Sequence, residues 1–314
     1  MRAVAVKAFK AEPELIQVPK PEPGVGEVLV KVEYAALNPS DRDWADGILE
    51  GLAPHVFPLV MGVDFAGRVD VVGPGDSRFR VGDAVFGRAA RPPVGTGTYA
   101  DYVTMPQDGP IAFVPDGLPL KTSALLPTSG MTAAQILEAA GVRAGQSLLV
   151  IGAAGGVGSF LTQLAAARGV RVLAAVRGDE QRRMTALGAT VTVDTTAHDL
   201  AAAVRDAGPD GVDALVDLVS VDPASFSANA ALVRPGGRAL TTRFAAGTAW
   251  LPAGVEGVDF RLNASSALLD ILAAAAADGS LKAPVDAEFP LEKAPDALAQ
   301  SRAGGARGKT VLVL

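Results

Sequence analysis

The chain of 314 residues has no cysteine and only two histidines, His55 and His198. Without thiols there can be no disulfide, no thiolate nucleophile and no zinc site built on sulfur. Clustered positive charge is missing too. No Lys/Arg run or basic patch interleaved with aromatics interrupts a net charge of −6, so nucleic acid is not an expected partner. Long apolar runs are also absent: the best candidate, Ala267 to Ala277, contains Asp270 and falls short of the ~18 residues of a membrane span. The opening Met1-Arg-Ala-Val-Ala-Val-Lys alternates as a strand does and lacks the charged-then-apolar layout of a secretory signal. A hydrophobic content of 49% is ample for well-filled cores in two domains of ordinary size. A globular, cytoplasmic protein is expected.

Up to about Leu118 the sequence consists of short β-like runs, Ala3–Val6, Glu27–Ala35, Asp64–Val72, Ala84–Phe86 and Tyr99–Met105, broken by turns such as Pro23-Gly24 and Gly73-Pro74-Gly75. This predicts a β-barrel-like domain over 1–118. From about Lys121, Ala-rich helical stretches alternate with the strands Ser147–Ile151, Arg171–Val176, Thr190–Val193, Ala214–Asp217 and Arg238–Thr242. Segments long enough for crossover helices separate them, which predicts a doubly wound α/β domain on a parallel sheet over 119–263. A helix at Ser265–Asp278 and short strands ending in Lys309–Leu314 follow, and the simplest arrangement returns 264–314 to the first domain.

The strongest local signal is the apolar strand Ser147–Ile151 running into Gly152-Ala-Ala-Gly-Gly-Val-Gly158 and then an amphipathic helix. A pyrophosphate needs backbone without intervening Cβ atoms and a helix N-terminus whose free N–H groups face the anion. Gly155 and Gly156 would allow the close approach, and Gly158 the packing of helix on strand. The alternative is a tight Ala/Gly turn with no ligand. At the end of the next strand, where an NAD site usually has a carboxylate, stands Arg177, with Arg182 and Arg183 following. A guanidinium there suits a 2′-phosphate, which favours NADPH; the alternative is a solvated surface arginine.

Nine blocks then carry a family resemblance: Leu37-Asn-Pro-Ser-Asp, Met61-Gly-Val-Asp-Phe-Ala-Gly, Val81-Gly-Asp-Ala-Val-Phe-Gly, Gly97-Thr-Tyr-Ala-Asp-Tyr-Val, Ser129-Gly-Met-Thr-Ala, the glycine turn, Gly211-Val-Asp-Ala-Leu-Val-Asp, Leu232-Val-Arg-Pro-Gly-Gly-Arg and Arg307-Gly-Lys-Thr-Val-Leu. In this order the chain resembles the medium-chain dehydrogenase/reductase superfamily, in its zinc-free quinone oxidoreductase and enoyl reductase branch. The resemblance implies a chaperonin-10-like (GroES-like) barrel split around a Rossmann domain, an active site in the cleft between them, and a homodimer. It implies cofactor contacts from Asn38, Thr128, Thr132, Ala154, Gly155, Gly156, Val157, Arg177, Arg182 and Thr242, and catalytic roles for Asn38 and Asp41. Zinc-dependent members carry Cys, His and Cys at or near Asn38, Val63 and Thr128, so no metal is expected. The two histidines are expected on the surface or in loops.

Without a Lewis acid, a conjugated acceptor is easier to reduce than a simple ketone, because the charge left by hydride addition spreads onto oxygen. The expected reaction is therefore NADPH-dependent reduction of a quinone or other α,β-unsaturated carbonyl compound. By resemblance Asn38 could donate to the developing oxyanion, although Asn-Pro-Ser-Asp is also a good turn former. No tyrosine follows the Asn-Pro block where enoyl reductases often carry a proton donor; Trp44 is there instead, and a solvent proton is assumed. By resemblance Arg243, Arg261 and Lys309 lie on segments near the cofactor cleft, although a surface ion pair is the commoner role for each. Two alternatives stay open: an enoyl-thioester reductase of a polyketide or fatty-acyl pathway, and a non-catalytic NADPH-binding redox sensor.

Overall fold

A computed structural model describes residues 1–314. In chain order the elements are β1 (Arg2–Val6), β2 (Glu14–Gln17), β3 (Glu27–Ala36), α1 (Pro39–Ala45), β4 (His55–Val60), β5 (Asp64–Val72), β6 (Ala84–Arg88), β7 (Val94–Thr96), β8 (Tyr102–Pro106), β9 (Ile111–Phe113), α2 (Leu120–Ser123) and α3 (Pro127–Ala140). There follow β10 (Ser147–Ile151), α4 (Gly156–Ala167), β11 (Arg171–Val176), α5 (Gln181–Ala186), β12 (Val191–Asp194), α6 (Leu200–Ala207), β13 (Val212–Asp217), α7 (Pro223–Ala230), β14 (Val233–Thr241) and β15 (Glu256–Asp259). The chain closes with α8 (Ser266–Ala277), β16 (Val285–Pro290), α9 (Ala294–Ala303) and β17 (Lys309–Val313). No helix is long and apolar enough to cross a membrane.

Two compact units result, 1–131 with 264–314, and 132–263. The first unit ends later than the expected 118 because α2 packs on β3, β5 and β6. Its larger sheet runs β16-β17-β3-β5-β6-β9, with β8 paired to β3, and a smaller sheet runs β2-β1-β4-β7. The C-terminal strand β17 lies antiparallel to β3, with Val311 opposite Ala36, and Leu37 N–H donates to Thr310 O. That register brings Lys309 beside Leu37 and Asn38, where β3 ends. Inward-facing residues of this unit, among them Val30, Phe65, Val85, Tyr99 and Leu312, form one core.

The second unit is a six-stranded parallel sheet in the order β12-β11-β10-β13-β14-β15. Numbered from β10, this is the 3-2-1-4-5-6 order of a dinucleotide-binding fold. The central strands β10, β11 and β13 bury most of their residues, as strands covered on both faces must. The apolar runs therefore had the right extent for β10 and β11, whereas β14 begins at Val233, before the expected Arg238.

Candidate functional site

In the first unit a largely buried polar cluster is built around the turn between β3 and α1. Pro39 at the first position of α1 fixes the helix start, Asn38 is its N-cap in extended conformation, and Asp41 Oδ2 accepts the Asn38 backbone N–H at 2.8 Å. Asn38 and Asp41 do form the turn that the sequence allowed. Around that turn, Asn38 Nδ2 donates to Asp64 Oδ2 (2.8 Å) and to Ala36 O (3.3 Å), while its Oδ1 accepts from Lys309 Nζ (2.6 Å). Lys309 also donates to Leu37 O at 2.8 Å and lies 3.9 Å from Asp64 Oδ2. Asp64, the first residue of β5, accepts Thr128 Oγ1–H at 2.7 Å on its other oxygen, together with the Thr128 backbone N–H. Thr128 Oγ1 in turn accepts from Arg88 Nε at 3.0 Å. Asn38, Asp41, Asp64 and Lys309 are all at most 3% exposed.

Tyr99 completes the cluster by donating its hydroxyl to Asp41 Oδ2 at 2.6 Å. Gly62, at φ +88°, makes room for it: a Cβ there would run into the Tyr99 ring. The second Asp41 oxygen, Oδ1, is buried without a partner, and Asp41 lines a cavity of about 10 Å³ with Trp44, Met61 and Arg91. That volume suits a single water. Burial pushes the Asp41 carboxyl up to about 7 and outweighs the Tyr99 and Asn38 hydrogen bonds, which favour its charged form. Burial likewise raises Tyr99 well above the usual phenol and lowers Lys309, the latter against the pull of Asp64 and Asp41.

Several expectations change here. Asn38 has no donor left for a substrate oxyanion, since both amide hydrogens are engaged within the chain; it positions Lys309 and Asp64 instead. Thr128 is similarly tied to Asp64 and Arg88. Lys309 is no surface ion-pair residue but the buried cation of the cluster. His198 is exposed, whereas His55 lies on β4, half-buried, with its ring edge-on to Phe9 at 4.9 Å. Neither Asp64 nor Arg88 is among the site residues expected from the sequence. Asp64 lies inside a recognised block at the start of β5 and Arg88 directly after one at the end of β6, and a charge at the end of an apolar strand is the available signal.

In the second unit the glycine turn joins β10 to α4. Gly155 is the N-cap of α4 and no side chain caps it, so the first N–H groups of the helix are left for a ligand. A Cβ on Gly155 would meet only Gly152 O at 3.5 Å, so nothing in the chain itself demands glycine there. At Gly158 a Cβ would press on Gly152 and Ala153, and close packing of α4 on the strand explains that residue. Gly156, Val157 and Ala154 lie in the same turn, whereas Thr132 is nearly buried on α3 and Thr242 half-buried just after β14. Arg177 and Arg182 are both exposed and have no partner in the chain. Arg183 differs, pairing with Glu180 at 2.7 Å and donating to Ala154 O at 2.9 Å. Gly178 N–H donates to Asp194 Oδ1, so that carboxylate is occupied in holding the turn after β11. An uncapped glycine-rich helix start with two unpaired guanidinium groups beyond the next strand fits a nicotinamide dinucleotide.

Two family models match the chain, the alcohol dehydrogenase GroES-like domain over residues 24–116 and the zinc-binding dehydrogenase over 187–312. A chloroplast envelope quinone oxidoreductase homolog of Arabidopsis thaliana is 30% identical over 95% of this chain and 93% of its own. The chain belongs to the medium-chain dehydrogenase/reductase superfamily, in its quinone oxidoreductase branch. It is also similar to an alcohol dehydrogenase 1 of Emericella nidulans (33% identity, 70% of each chain) and to a trans-enoyl reductase of Aspergillus terreus (30%, 92% of this chain and 86% of the other). Among solved structures, a quinone oxidoreductase from Coxiella burnetii superposes with a TM-score of 0.86 at 26% identity over 100% of this chain and 99% of that one. A structure described as an NAD-dependent alcohol dehydrogenase gives 0.85 at 30%, and a mycobacterial protein solved with NADPH gives 0.83 at 29%, each covering both chains fully.

Zinc, which one family description names, does not fit these residues. Asn38, Val63 and Thr128 stand at or near the expected ligand positions; Val63 is apolar, and the other two already bond to Asp64. The Lys309 ammonium at 3.9 Å from Asp64 would repel a second cation. No three His, Asp or Glu side chains converge elsewhere in the chain.

Proposed function

We propose that this oxidoreductase reduces quinones or other α,β-unsaturated carbonyl compounds with NADPH and without a metal. The observation that carries the reading is the polar cluster around Asp64, in which the expected zinc-ligand positions are the apolar Val63 and the already hydrogen-bonded Asn38 and Thr128, with the Lys309 ammonium 3.9 Å from Asp64. Such a site can orient and polarise a substrate but supplies no Lewis acid, and a conjugated acceptor is the substrate that least needs one. NADPH, when bound, supplies the hydride. The uncapped start of α4 would hold its pyrophosphate, and Arg177 with Arg182 its 2′-phosphate. In the first unit, Asn38 and Lys309 hold Asp64 in place, Asp64 holds Thr128, and Thr128 in turn fixes Arg88. Asp41, poised near neutrality beside a water-sized cavity, can pass on a solvent proton. The relatives described as quinone oxidoreductases support the substrate class, and the mycobacterial neighbour solved with NADPH supports the cofactor.

A second reading, reduction of an enoyl thioester, is favoured by the Aspergillus relative described as a trans-enoyl reductase. A panel of quinones, enals, enoyl thioesters and saturated alcohols, followed by NADPH or NADP⁺ absorbance, separates the two. Turnover confined to quinones and enals is expected; turnover confined to thioesters selects the second reading, and oxidation of simple alcohols alone refutes both. We also propose a homodimer, as the family resemblance implies; light scattering at the mass of one chain would refute it.

A further inference from the structure

We propose that Arg88 is the residue that binds the substrate's carbonyl oxygen and the negative charge it acquires on reduction. This rests on the conjugated-carbonyl reading above and names the group that performs its electrostatic step.

The assignment comes from counting donors. A carbonyl oxygen becoming an enolate or phenolate needs an N–H or O–H aimed at it. In the polar cluster the Asn38 amide hydrogens go to Asp64 and Ala36, the Thr128 hydroxyl to Asp64 and the Tyr99 hydroxyl to Asp41; Lys309 gives two of its three hydrogens to Asn38 and Leu37, lies 3.9 Å from Asp64 and is only 3% exposed. Arg88 is the exception. Its Nε donates to Thr128 Oγ1, which fixes the plane of the guanidinium, and its two Nη groups make no hydrogen bond in the chain. They are not sealed in either: the residue is half-buried at the end of β6, with its guanidinium carbon 5.9 Å from the centre of the Trp44 ring.

Charge points the same way. Lys309 stands 3.9 Å from the Asp64 carboxylate and donates to Asn38 and Leu37, whereas no carboxylate accepts a hydrogen bond from Arg88. Burial lowers the Arg88 pKa and is opposed by Asp64 and Asp41; a guanidinium nevertheless stays charged at any physiological pH. A half-buried, fixed, charged fork with two donors to spare is suited to an oxygen that gains charge in the transition state.

The step balances as follows. The acceptor gains hydride from NADPH at carbon, its π electron pair shifts onto the oxygen held by Arg88, NADP⁺ is released, and a proton from solvent completes the reduced product.

The test uses the full-length protein and 4-nitrophenol, whose phenolate mimics the charged oxygen and is visible by absorbance. Wild type, Arg88→Met and Arg88→Lys are titrated with and without NADP⁺, and NADPH affinity is measured beside them by nicotinamide fluorescence. Wild type should favour the phenolate and lower the apparent pKa of the bound phenol. Arg88→Met should weaken phenolate binding at least tenfold with NADPH affinity unchanged, and Arg88→Lys should restore part of it. With a quinone substrate, Arg88→Met should lower kcat roughly 10–1000-fold, the range for a lost oxyanion donor. Equal phenolate binding by wild type and Arg88→Met, or binding by neither, overturns the assignment. Arg88-dependent phenolate binding in a protein that reduces no quinone or enone would leave the assignment standing and refute the reduction reading.

Discussion

Replacing Lys309 by methionine removes the one ammonium in a buried cluster while keeping most of the side-chain volume. Lys309 Nζ makes hydrogen bonds of 2.6 Å to Asn38 Oδ1 and 2.8 Å to Leu37 O and stands 3.9 Å from Asp64, and both charged residues are at most 3% exposed. The intact ion pair is not a large net stabiliser, because desolvation offsets most of its attraction; breaking it from one side is a different matter. Asp64 loses its ion-pair partner inside the buried cluster, and two acceptors lose their donor. That cost is about 3–5 kcal/mol. For units of this size 1 kcal/mol moves the melting midpoint by roughly 2–4 °C, so Lys309→Met should melt roughly 6–20 °C below wild type. Differential scanning calorimetry reads the change, and Asp64→Asn combined with Lys309→Met should recover part of it by removing the orphaned charge. A Lys309→Met protein melting within 2 °C of wild type would refute the buried network.

Asp41→Asn tests the raised carboxyl. Because Asp41 titrates near 7 in the folded chain and near 4 in the unfolded one, the folded state holds the extra proton between those values, and stability should fall as pH rises from about 4 to 7 and level off above. The span corresponds to at most about 4 kcal/mol, and denaturant midpoints measured along the pH axis should lose that slope in Asp41→Asn. Gly156→Val should abolish NADPH binding by fluorescence titration while the first unit stays folded by circular dichroism; undiminished binding would place the cofactor elsewhere. Arg177→Ala should weaken NADPH roughly ten- to a hundredfold and NADH little, since a charge-assisted bond to the 2′-phosphate is worth about 1.5–3 kcal/mol. Equal losses for both cofactors would make Arg177 a surface residue.

The second unit was easier to read than the first. Its strands are buried on both faces, so β10 and β11 stood out as uninterrupted apolar runs between turn residues, and the glycine turn marked the start of α4. In the first unit, β4 escaped notice because half of its residues are exposed and Pro58 interrupts it, and β7 is only three residues long. The polar cluster was half legible. Asn38 and Asp41 announce themselves by their turn chemistry, but their hydrogen-bond partners come from β5, β17 and the segment before β8, brought together only by sheet pairing. Lys309 looks like a surface lysine because nothing in Gly-Lys-Thr-Val-Leu shows that β17 begins beside Asn38. Whether an amide is free to donate depends on every neighbour it has, and local spacing carries no such information.

The most direct measurement is NADPH oxidation by a simple quinone, with enzyme dialysed against a strong chelator and with NADH run in parallel. Unchanged turnover after chelation, with NADPH preferred at least tenfold over NADH, is expected from the metal-unfit Asn38, Val63 and Thr128 in the first unit and from Arg177 just after β11 in the second. Loss of activity on chelation with recovery on added zinc, or no quinone turnover with either cofactor, would contradict it.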